Sequence, residues 1–224
     1  MSEFQQENRR RTRRYAIVFA GLFLVLLLIF YANVSVGTVA LRGDLVSQTI
    51  LWRIRLPRVC LAMILGGALA LSGFLLQTFF ENPIAGPYIL GISSGAKLTV
   101  TLSMLLTLTQ LRTTSAAINV VAAFIGALLS TGFILLISKR VQHMASILIG
   151  GIMIGYVASA ITDFLITFAE DADIVNLHGW SQGSFSGMSW SNVYISCAVV
   201  GITLILTFLL SKPIGAYQLG EAYA

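Results

Sequence analysis

Long apolar runs separated by short polar stretches make up most of this chain. Each run holds about 20 mostly apolar residues, the length that an α-helix needs to cross a bilayer. Lipid offers no hydrogen bonds to a free backbone, so each run is expected to be helical. The pattern predicts an all-α, polytopic transmembrane bundle with about six spans, at Tyr15–Asn33, Val59–Phe80, Tyr88–Leu108, Ala116–Ser138, Ser146–Ala169 and Val193–Leu210.

Composition supports the same class. Of the 224 residues, 57% are hydrophobic and 10% are charged, whereas a soluble domain carries about 25% charged residues. So few polar side chains cannot cover a water-facing surface. The excess apolar side chains must therefore face lipid or one another.

The basic residues indicate the orientation of the spans. The run Arg9–Arg14 precedes the first span and supplies much of the net charge of +5. Cytoplasmic flanks of membrane proteins are enriched in lysine and arginine, which predicts a cytoplasmic tail at residues 1–14. Alternation then places Lys139, Arg140 and Lys212 in the cytoplasm as well. A basic run beside an apolar span indicates a membrane flank and not nucleic-acid binding.

Four arginines depart from this rule. Arg42, Arg53, Arg55 and Arg58 fall in or beside the predicted first outer loop, residues 34–57. One interpretation is that they snorkel at the start of a helix. The other is a docking patch for an acidic partner, and the sequence leaves both open.

The second span carries small residues on one face. Ala62, Gly66, Ala70, Gly73 and Gln77 follow spacings of three or four residues, which place them on the same side of a helix. Small residues let transmembrane helices approach closely. The face therefore predicts that this helix is packed within a bundle.

A proline- and glycine-rich turn follows, from Glu81 to Ala96, with Pro83 and Pro87 in its first half. Irregular backbone at membrane depth is tolerated where it is buried in protein or lines a water-filled cavity. Transporters use such places in their pathways. A gate and a simple tight turn between helices are equally compatible with this segment.

Two charged residues lie within predicted spans, Lys97 in the third and Asp163 in the fifth. An ionisable residue inside a membrane is a functional candidate. Whether the two side chains pair is left open by the sequence.

No catalytic motif is present. The chain lacks a GxxxxGK[ST] phosphate loop, and Cys60 and Cys197 stand alone without metal-ligand spacing. A hydrolase would need a nucleophile and a base within reach of each other, and the spans contain no histidine. We expect no enzyme activity, no catalytic residue, no metal site and no cofactor in this chain.

Several motifs, taken together and in order, closely resemble those of the FecCD-type permeases, the membrane subunits of ABC importers for iron siderophores, haem and cobalamin. The quoted segments are Arg55–Arg58 (RLPR), Gly67–Gly73, Gln77, Asn82–Pro87, Leu90–Ala96, Trp180–Trp190 and Leu219–Glu221.

This resemblance implies partners. They are a second permease subunit in a homodimer or heterodimer, cytoplasmic ATP-binding subunits, and an extracytoplasmic substrate-binding protein, all at a bacterial inner membrane. It also implies that Arg55 and Arg58 dock the binding protein. The implied substrate is a ferric siderophore, with haem and cobalamin as alternatives.

The resemblance further implies a cytoplasmic gate. One side of the gate is formed by Asn82, Pro83 and Ile84, and the other by Met144 and Ala145. Gln77 and Asp163 become candidates to face the pore, and Gly220 and Glu221 become candidates for ATPase coupling.

One feature departs from the family pattern. Family members have about ten spans, so the resemblance gives a partial permease domain at residues 15–212 and the start of a coupling segment at 213–224. We therefore expect a fragment or a truncated product of a type II importer permease. Two alternatives remain, a six-span gradient-driven carrier or channel that uses Asp163 and Lys97, and a scaffold that does not transport.

Overall fold

The protein is described by a computed structural model that covers residues 3–37, 45–111, 116–141, 143–169 and 171–217. Throughout these residues the regular structure is helical. The helices are α1 (Glu3–Ser35), α2 (Leu45–Ile50), a π-helical segment (Leu51–Arg55), α3 (Leu56–Phe79), α4 (Ile92–Leu111), α5 (Ala116–Ser138), α6 (Met144–Thr167), α7 (Asp171–Gln182), α8 (Trp190–Leu209) and α9 (Ser211–Tyr217).

The all-α membrane class is confirmed. Within the described residues, five helices are long and apolar enough to cross a membrane, and a shorter apolar helix, Ile92–Leu106, occupies the place of the predicted third span. Large apolar side chains are exposed along these helices, with Phe19 72%, Leu129 64% and Phe208 77% exposed. Such surfaces are suited to contact with lipid tails.

The predicted outer loop before the second span was wrong over residues 45–55, which are helical. Together with α3 they form one helical stretch, Leu45–Phe79, of 35 residues. Pro57 cannot donate a backbone hydrogen bond, and in a regular α-helix its ring would clash with the carbonyl of Arg53. The wider π-helical spacing relieves this conflict, and the Leu56 N–H bonds to the carbonyl of Leu51.

The helix at the predicted third span begins four residues later than the sequence pattern indicated. Residues 87–91 are turns, and α4 begins at Ile92. Gly91 adopts a φ of +71°, a left-handed conformation that is incompatible with a continuing α-helix. The predicted outer segment 170–192 also contains a helix, α7.

The chain divides into two units. The first contains residues 1–65 and 185–200, and the second contains residues 66–184 and 201–224. In the second unit, α4 packs against both α5 and α6, and α5 and α6 contact each other less. One core cluster joins Phe80, Ala85 and Leu90 to Ile134 and Ile147. A second joins Val100 and Met104 on α4 to Leu177 on α7.

The small-residue face predicted on α3 is not packed in the part of the chain that the structure describes. A Cβ atom added at Gly66 or Gly73 would meet no described atom within 4 Å, and Ala62, Ala70 and Gln77 are exposed. No described helix lies against this face, so its packing within a bundle stays a prediction.

Candidate docking and translocation residues

Arg55 lies in the π-helical segment and bonds to the end of α1. Its Nη1 donates to the carbonyl of Val34 at 2.8 Å and to that of Ser35 at 3.3 Å. The last carbonyls of a helix have no partner within the helix, and a cation near them also complements the helix dipole. Arg55, one of the two predicted docking residues, is therefore a cap for α1.

Gly37 leaves the space that this cap requires. A Cβ atom at Gly37 would collide with Nη2 of Arg55 and lie 2.6 Å from its Cζ. A side chain at position 37 would therefore require the guanidinium to shift. The arginine and the glycine thus form one structural unit, which the sequence pattern did not reveal.

The neighbouring arginines are placed differently. Arg53 is exposed, and Arg58 is half-buried in the first turn of α3. The Nε of Arg58 is buried and has no hydrogen-bond partner among the described residues. Nearby in the same unit, the Trp190 Nε1 donates to the Trp52 carbonyl at 2.7 Å, and the two indole rings lie 6.4 Å apart. This tryptophan pair fixes the start of α8 beside the arginine-bearing helix.

The α3 helix ends in a Schellman motif. The Asn82 N–H bonds to the Gln77 carbonyl at 3.2 Å, and the Glu81 N–H bonds to the Thr78 carbonyl at 3.3 Å. Glu81 has a φ of 48°, the left-handed conformation that glycine usually supplies at this position. The chain reverses abruptly here, immediately before the predicted gate residues.

The predicted gate turn has a fixed base and an exposed tip. Asn82 Oδ1 accepts a hydrogen bond from the Ile84 N–H at 2.9 Å, an Asx turn. Pro83 is exposed and Ile84 is 71% exposed, whereas Ala85 is buried at 1%. The tip therefore protrudes while the following residue is held in the core.

The two predicted sides of the gate meet around one cluster. Ala85, from the turn, packs in the same buried cluster as Ile147, from the first turn of α6. Met144 begins α6 and Ala145 is exposed beside it. The structure thus brings together the elements that carry both sets of gate residues, although their gating role stays a prediction.

The closest helix contact in the second unit lies between α4 and α5. A Cβ atom at Gly126 would collide with the Gly95 carbonyl and lie 2.9 Å from its carbon. Thr99 Oγ1 donates to the Ala122 carbonyl at 2.7 Å across the same contact. Small residues and a hydroxyl at helix crossings are typical of membrane packing.

The contact between α4 and α6 is also made by closely approaching glycines and a hydroxyl hydrogen bond. A Cβ atom at Gly91 would lie 2.7 Å from the Gly151 carbonyl and from the Gly155 nitrogen. One turn later, Ser159 Oγ donates to Ser94 Oγ at 3.3 Å. In the sequence, the small-xxx-small spacing of Gly151 and Gly155 is the pattern that indicates this contact.

The short helix α9 packs against the end of α3. The Tyr217 ring stacks on Phe79 with centroids 5.8 Å apart, and its hydroxyl donates to the Phe79 carbonyl at 3.3 Å. Phe79 lies in the last turn of α3, two residues before the Schellman turn at Glu81. The segment predicted to begin the coupling region thus contacts the base of the predicted gate turn.

The remaining candidates are scattered. Gln77 and Asp163 are exposed, and Lys97 is half-buried. Between described residues, the ion pair within 4 Å is that of Arg11 and Glu7, so Lys97 and Asp163 do not pair. Gly220 and Glu221 lie outside the described residues. No described group of three or more His, Cys, Asp or Glu side chains is placed to hold a metal ion.

An apolar groove of about 450 Å³ lies between α5 and α6, with α4 as its floor. Gly95, Leu98 and Thr99 form that floor. The walls run from Gly126 to Ile137 on α5 and from Gly150 to Ile161 on α6. Neither Gln77 nor Asp163 lines the groove, although α6, the helix that carries Asp163, forms one of its walls.

Known proteins resemble this chain in sequence. The vitamin B12 import system permease protein BtuC of Klebsiella pneumoniae subsp. pneumoniae is 34% identical over 221 residues, which cover 97% of this chain and 65% of that protein. The protein of the same name from Salmonella paratyphi A is 32% identical over 228 residues, covering 100% of this chain and 68% of that protein. The chain therefore spans about two thirds of the length of these relatives.

The fold also has a solved counterpart. One chain from the inward-facing conformation of an ABC transporter, assigned to the metal-chelate type, superposes with a TM-score of 0.77 and 24% identity. The match covers 89% of this chain and 64% of that one. In sequence, the model of the FecCD transport family matches residues 17–224. The helical arrangement and this family match agree, and the chain belongs to the FecCD transport family.

Proposed function

We propose that this chain is a membrane-spanning permease subunit of an ATP-binding cassette importer. The observation that carries the proposal is the family match, which extends over residues 17–224 and includes every described helix except the first turns of α1. The glycine-mediated packing of α4 on α5 and α6 supports it, because this core holds the elements of the predicted gate together.

The proposed substrate is a metal chelate, either a ferric siderophore or cobalamin. Both are rigid organic ligands wrapped around a metal ion, so one type of pathway would suit either. Both relatives are vitamin B12 import permeases, which favours cobalamin, whereas the resemblance to FecCD-type permeases also supports a ferric siderophore.

The importer requires other subunits. We infer a second permease subunit, a pair of cytoplasmic ATPase subunits, and a binding protein outside the membrane. ATP hydrolysis takes place in the ATPase subunits, so the permease is not itself an enzyme. The basic tail before the first span supports a cytoplasmic N-terminus in the cell membrane, because such tails are retained on that side.

The two predicted docking arginines, Arg55 and Arg58, have different roles in this proposal. Arg58, which is half-buried and whose Nε has no described hydrogen-bond partner, is the residue that meets an acidic surface of the binding protein. Arg55 holds the helix that presents it, because its own guanidinium is bonded to α1. Charge complementarity of this kind mainly accelerates association and sets specificity.

Uptake measurements test the proposal. Cells that lack the gene encoding this chain are compared with complemented cells for accumulation of radiolabelled cobalamin and of a radiolabelled ferric siderophore. We expect accumulation of one chelate to depend on the gene. An inactivating substitution in the phosphate loop of the partner ATPase should abolish the same uptake.

Two results would contradict the proposal. Uptake that survives inactivation of the ATPase but collapses with the membrane potential would indicate a gradient-driven carrier. Equal accumulation of both chelates with and without the gene would exclude this substrate class. Docking can be tested separately, by measuring how much binding protein the purified permease captures at low salt. Arg58→Glu should weaken this capture, whereas Arg13→Glu in the N-terminal tail should leave it unchanged.

A further inference from the structure

The backbone carbonyl of Trp52 has no helical donor. A carbonyl in a helix accepts from the N–H four residues later in α spacing, or five residues later in π spacing. Four residues after Trp52 comes Leu56, whose N–H bonds instead to the Leu51 carbonyl. Five residues after it comes Pro57, which has no N–H. Neither spacing therefore supplies this carbonyl with a hydrogen bond from the backbone.

Trp190 supplies the missing hydrogen bond. Its Nε1 donates to the Trp52 carbonyl at 2.7 Å, and this N–H is the single donor of an indole ring. The ring is held on two sides, because it lies 6.4 Å from the Trp52 ring and 6.0 Å from the stacked ring of Tyr194, one turn further along α8. The side chain of Trp190 thus takes the place of the N–H that Pro57 lacks.

This hydrogen bond attaches the π-helical segment, Leu51–Arg55, to a second helix. Arg55 already joins the segment to the end of α1, and Trp190 joins it to the start of α8. All these residues belong to the first unit. Arg58 follows the segment by three residues, in the first turn of α3. The backbone that leads to Arg58 is therefore held by α1 on one side and by α8 on the other.

We propose that Trp190 is a positioning residue for docking, which holds the segment from which Arg58 meets the binding protein. This inference rests on the proposed function, in which Arg58 is the docking residue. The alternative role for Trp190 is an anchor at the membrane interface, where tryptophan is enriched. An anchor acts through its amphipathic ring, so its contribution would not depend on the residue at position 57.

A double-mutant cycle between positions 57 and 190 separates these roles. Trp190→Phe keeps an aromatic ring and removes the indole N–H. Pro57→Ala returns a backbone N–H, so the Trp52 carbonyl gains a backbone donor in either helical spacing. In thermal unfolding of the purified full chain, we expect Trp190→Phe to lower Tm by roughly 2–4 °C more in the parent than in Pro57→Ala.

Hydrogen exchange locates the same effect. The amides of the π-helical segment should exchange faster in Trp190→Phe than in the parent, because the segment has lost its attachment to α8. In Pro57→Ala, adding Trp190→Phe should leave their exchange unchanged. This rescue is specific to the hydrogen bond, since the lost ring area is the same in both backgrounds.

Capture of the binding protein tests the docking role. The purified full chain is titrated at low salt against the immobilised extracytoplasmic binding protein of the same importer. We expect Trp190→Phe to weaken capture about fivefold in the parent and to add no further loss in Arg58→Gln, because the position of residue 58 no longer matters once its charge is removed. Trp180→Phe is the matched control and should leave capture unchanged, since the Trp180 indole makes no hydrogen bond to a described residue.

Three results would count against the inference. Equal losses of Tm from Trp190→Phe in the parent and in Pro57→Ala would overturn it and leave Trp190 as an interfacial anchor. Equal weakening of capture in the parent and in Arg58→Gln would overturn it as well, because Trp190 would then act independently of Arg58. A parent chain that captures no binding protein would contradict the proposed function and the docking role together, whereas the Tm cycle needs no partner and tests the replacement of the proline N–H by itself.

Discussion

The cap that Arg55 places on α1 predicts a specific coupling between Arg55 and Gly37. The guanidinium donates to the Val34 and Ser35 carbonyls, and hydrogen bonds to charged groups contribute about 1.5–3 kcal/mol when well formed. Because the side chain is partly exposed and the second bond is long, we expect Arg55→Ala to cost about 2 kcal/mol. Arg53→Ala, at an exposed neighbour, should change stability by less than about 0.5 kcal/mol.

Replacing Gly37 by alanine should cost up to a similar amount for a different reason. The new Cβ would lie 2.6 Å from Cζ of Arg55, so the guanidinium must shift relative to the carbonyls of α1 that it bonds. Once Arg55 is alanine this clash no longer exists. The double variant should therefore be no less stable than Arg55→Ala alone, with a coupling energy of about 2 kcal/mol.

Thermal unfolding in detergent measures all three variants. A loss of about 2 kcal/mol in a chain of this size corresponds to a fall in Tm of roughly 4–8 °C. Hydrogen exchange near the end of α1 should accelerate in both single variants. Additive losses in the double variant would refute the reasoning, because they would show that Gly37→Ala acts through something other than Arg55.

Three further predictions concern the second unit. Glu81→Gly should stabilise the chain by about 1 kcal/mol, since glycine adopts the observed left-handed conformation without strain. Gly126→Ala should lower Tm by several degrees, because its Cβ would collide with Gly95. The control is Gly132→Ala, where the added Cβ would meet no described atom within 4 Å. Its free energy of unfolding should stay the same or rise by up to about 1 kcal/mol. Tyr217→Phe should cost less than about 1 kcal/mol, and Tyr217→Ala about 2 kcal/mol because the stacked ring is lost as well.

Each of these has a result that would contradict it. A gain from Glu81→Ala equal to that from Glu81→Gly would show that backbone conformation is not the cause. Equal Tm values for Gly126→Ala and Gly132→Ala would show that the close approach of Gly95 does not restrict the residue at position 126. Faster hydrogen exchange at the end of α3 in Tyr217→Phe than in Tyr217→Ala would contradict a stabilising contact between the Tyr217 ring and Phe79.

The span positions show how far local pattern reaches. The apolar run around residues 116–138 was predicted to its ends, because nothing within it interrupts a helix. At the third span, the helix begins four residues after the predicted start. The apolar residues Tyr88 to Leu90 matched the periodicity, but the left-handed Gly91 beside them keeps this stretch in turns.

The candidate site shows what the sequence pattern could not predict. The sequence located the turn at Asn82 through its prolines, and it located the arginines around Arg55 through their unusual position. It gave no information on the partner of Arg55, because the carbonyls of Val34 and Ser35 lie some twenty residues away. A backbone carbonyl is present at every residue and leaves no mark in the amino-acid pattern.

The sequence by itself determined the all-α membrane class, because the need to satisfy backbone groups in lipid leaves few alternatives for long apolar runs. It also determined the family motifs. The tertiary structure alone decided which glycines matter, since Gly126 touches the backbone of Gly95 while Gly66 meets no described atom. Close packing depends on which helices become neighbours, and hydrophobic periodicity within one helix carries no information about that choice.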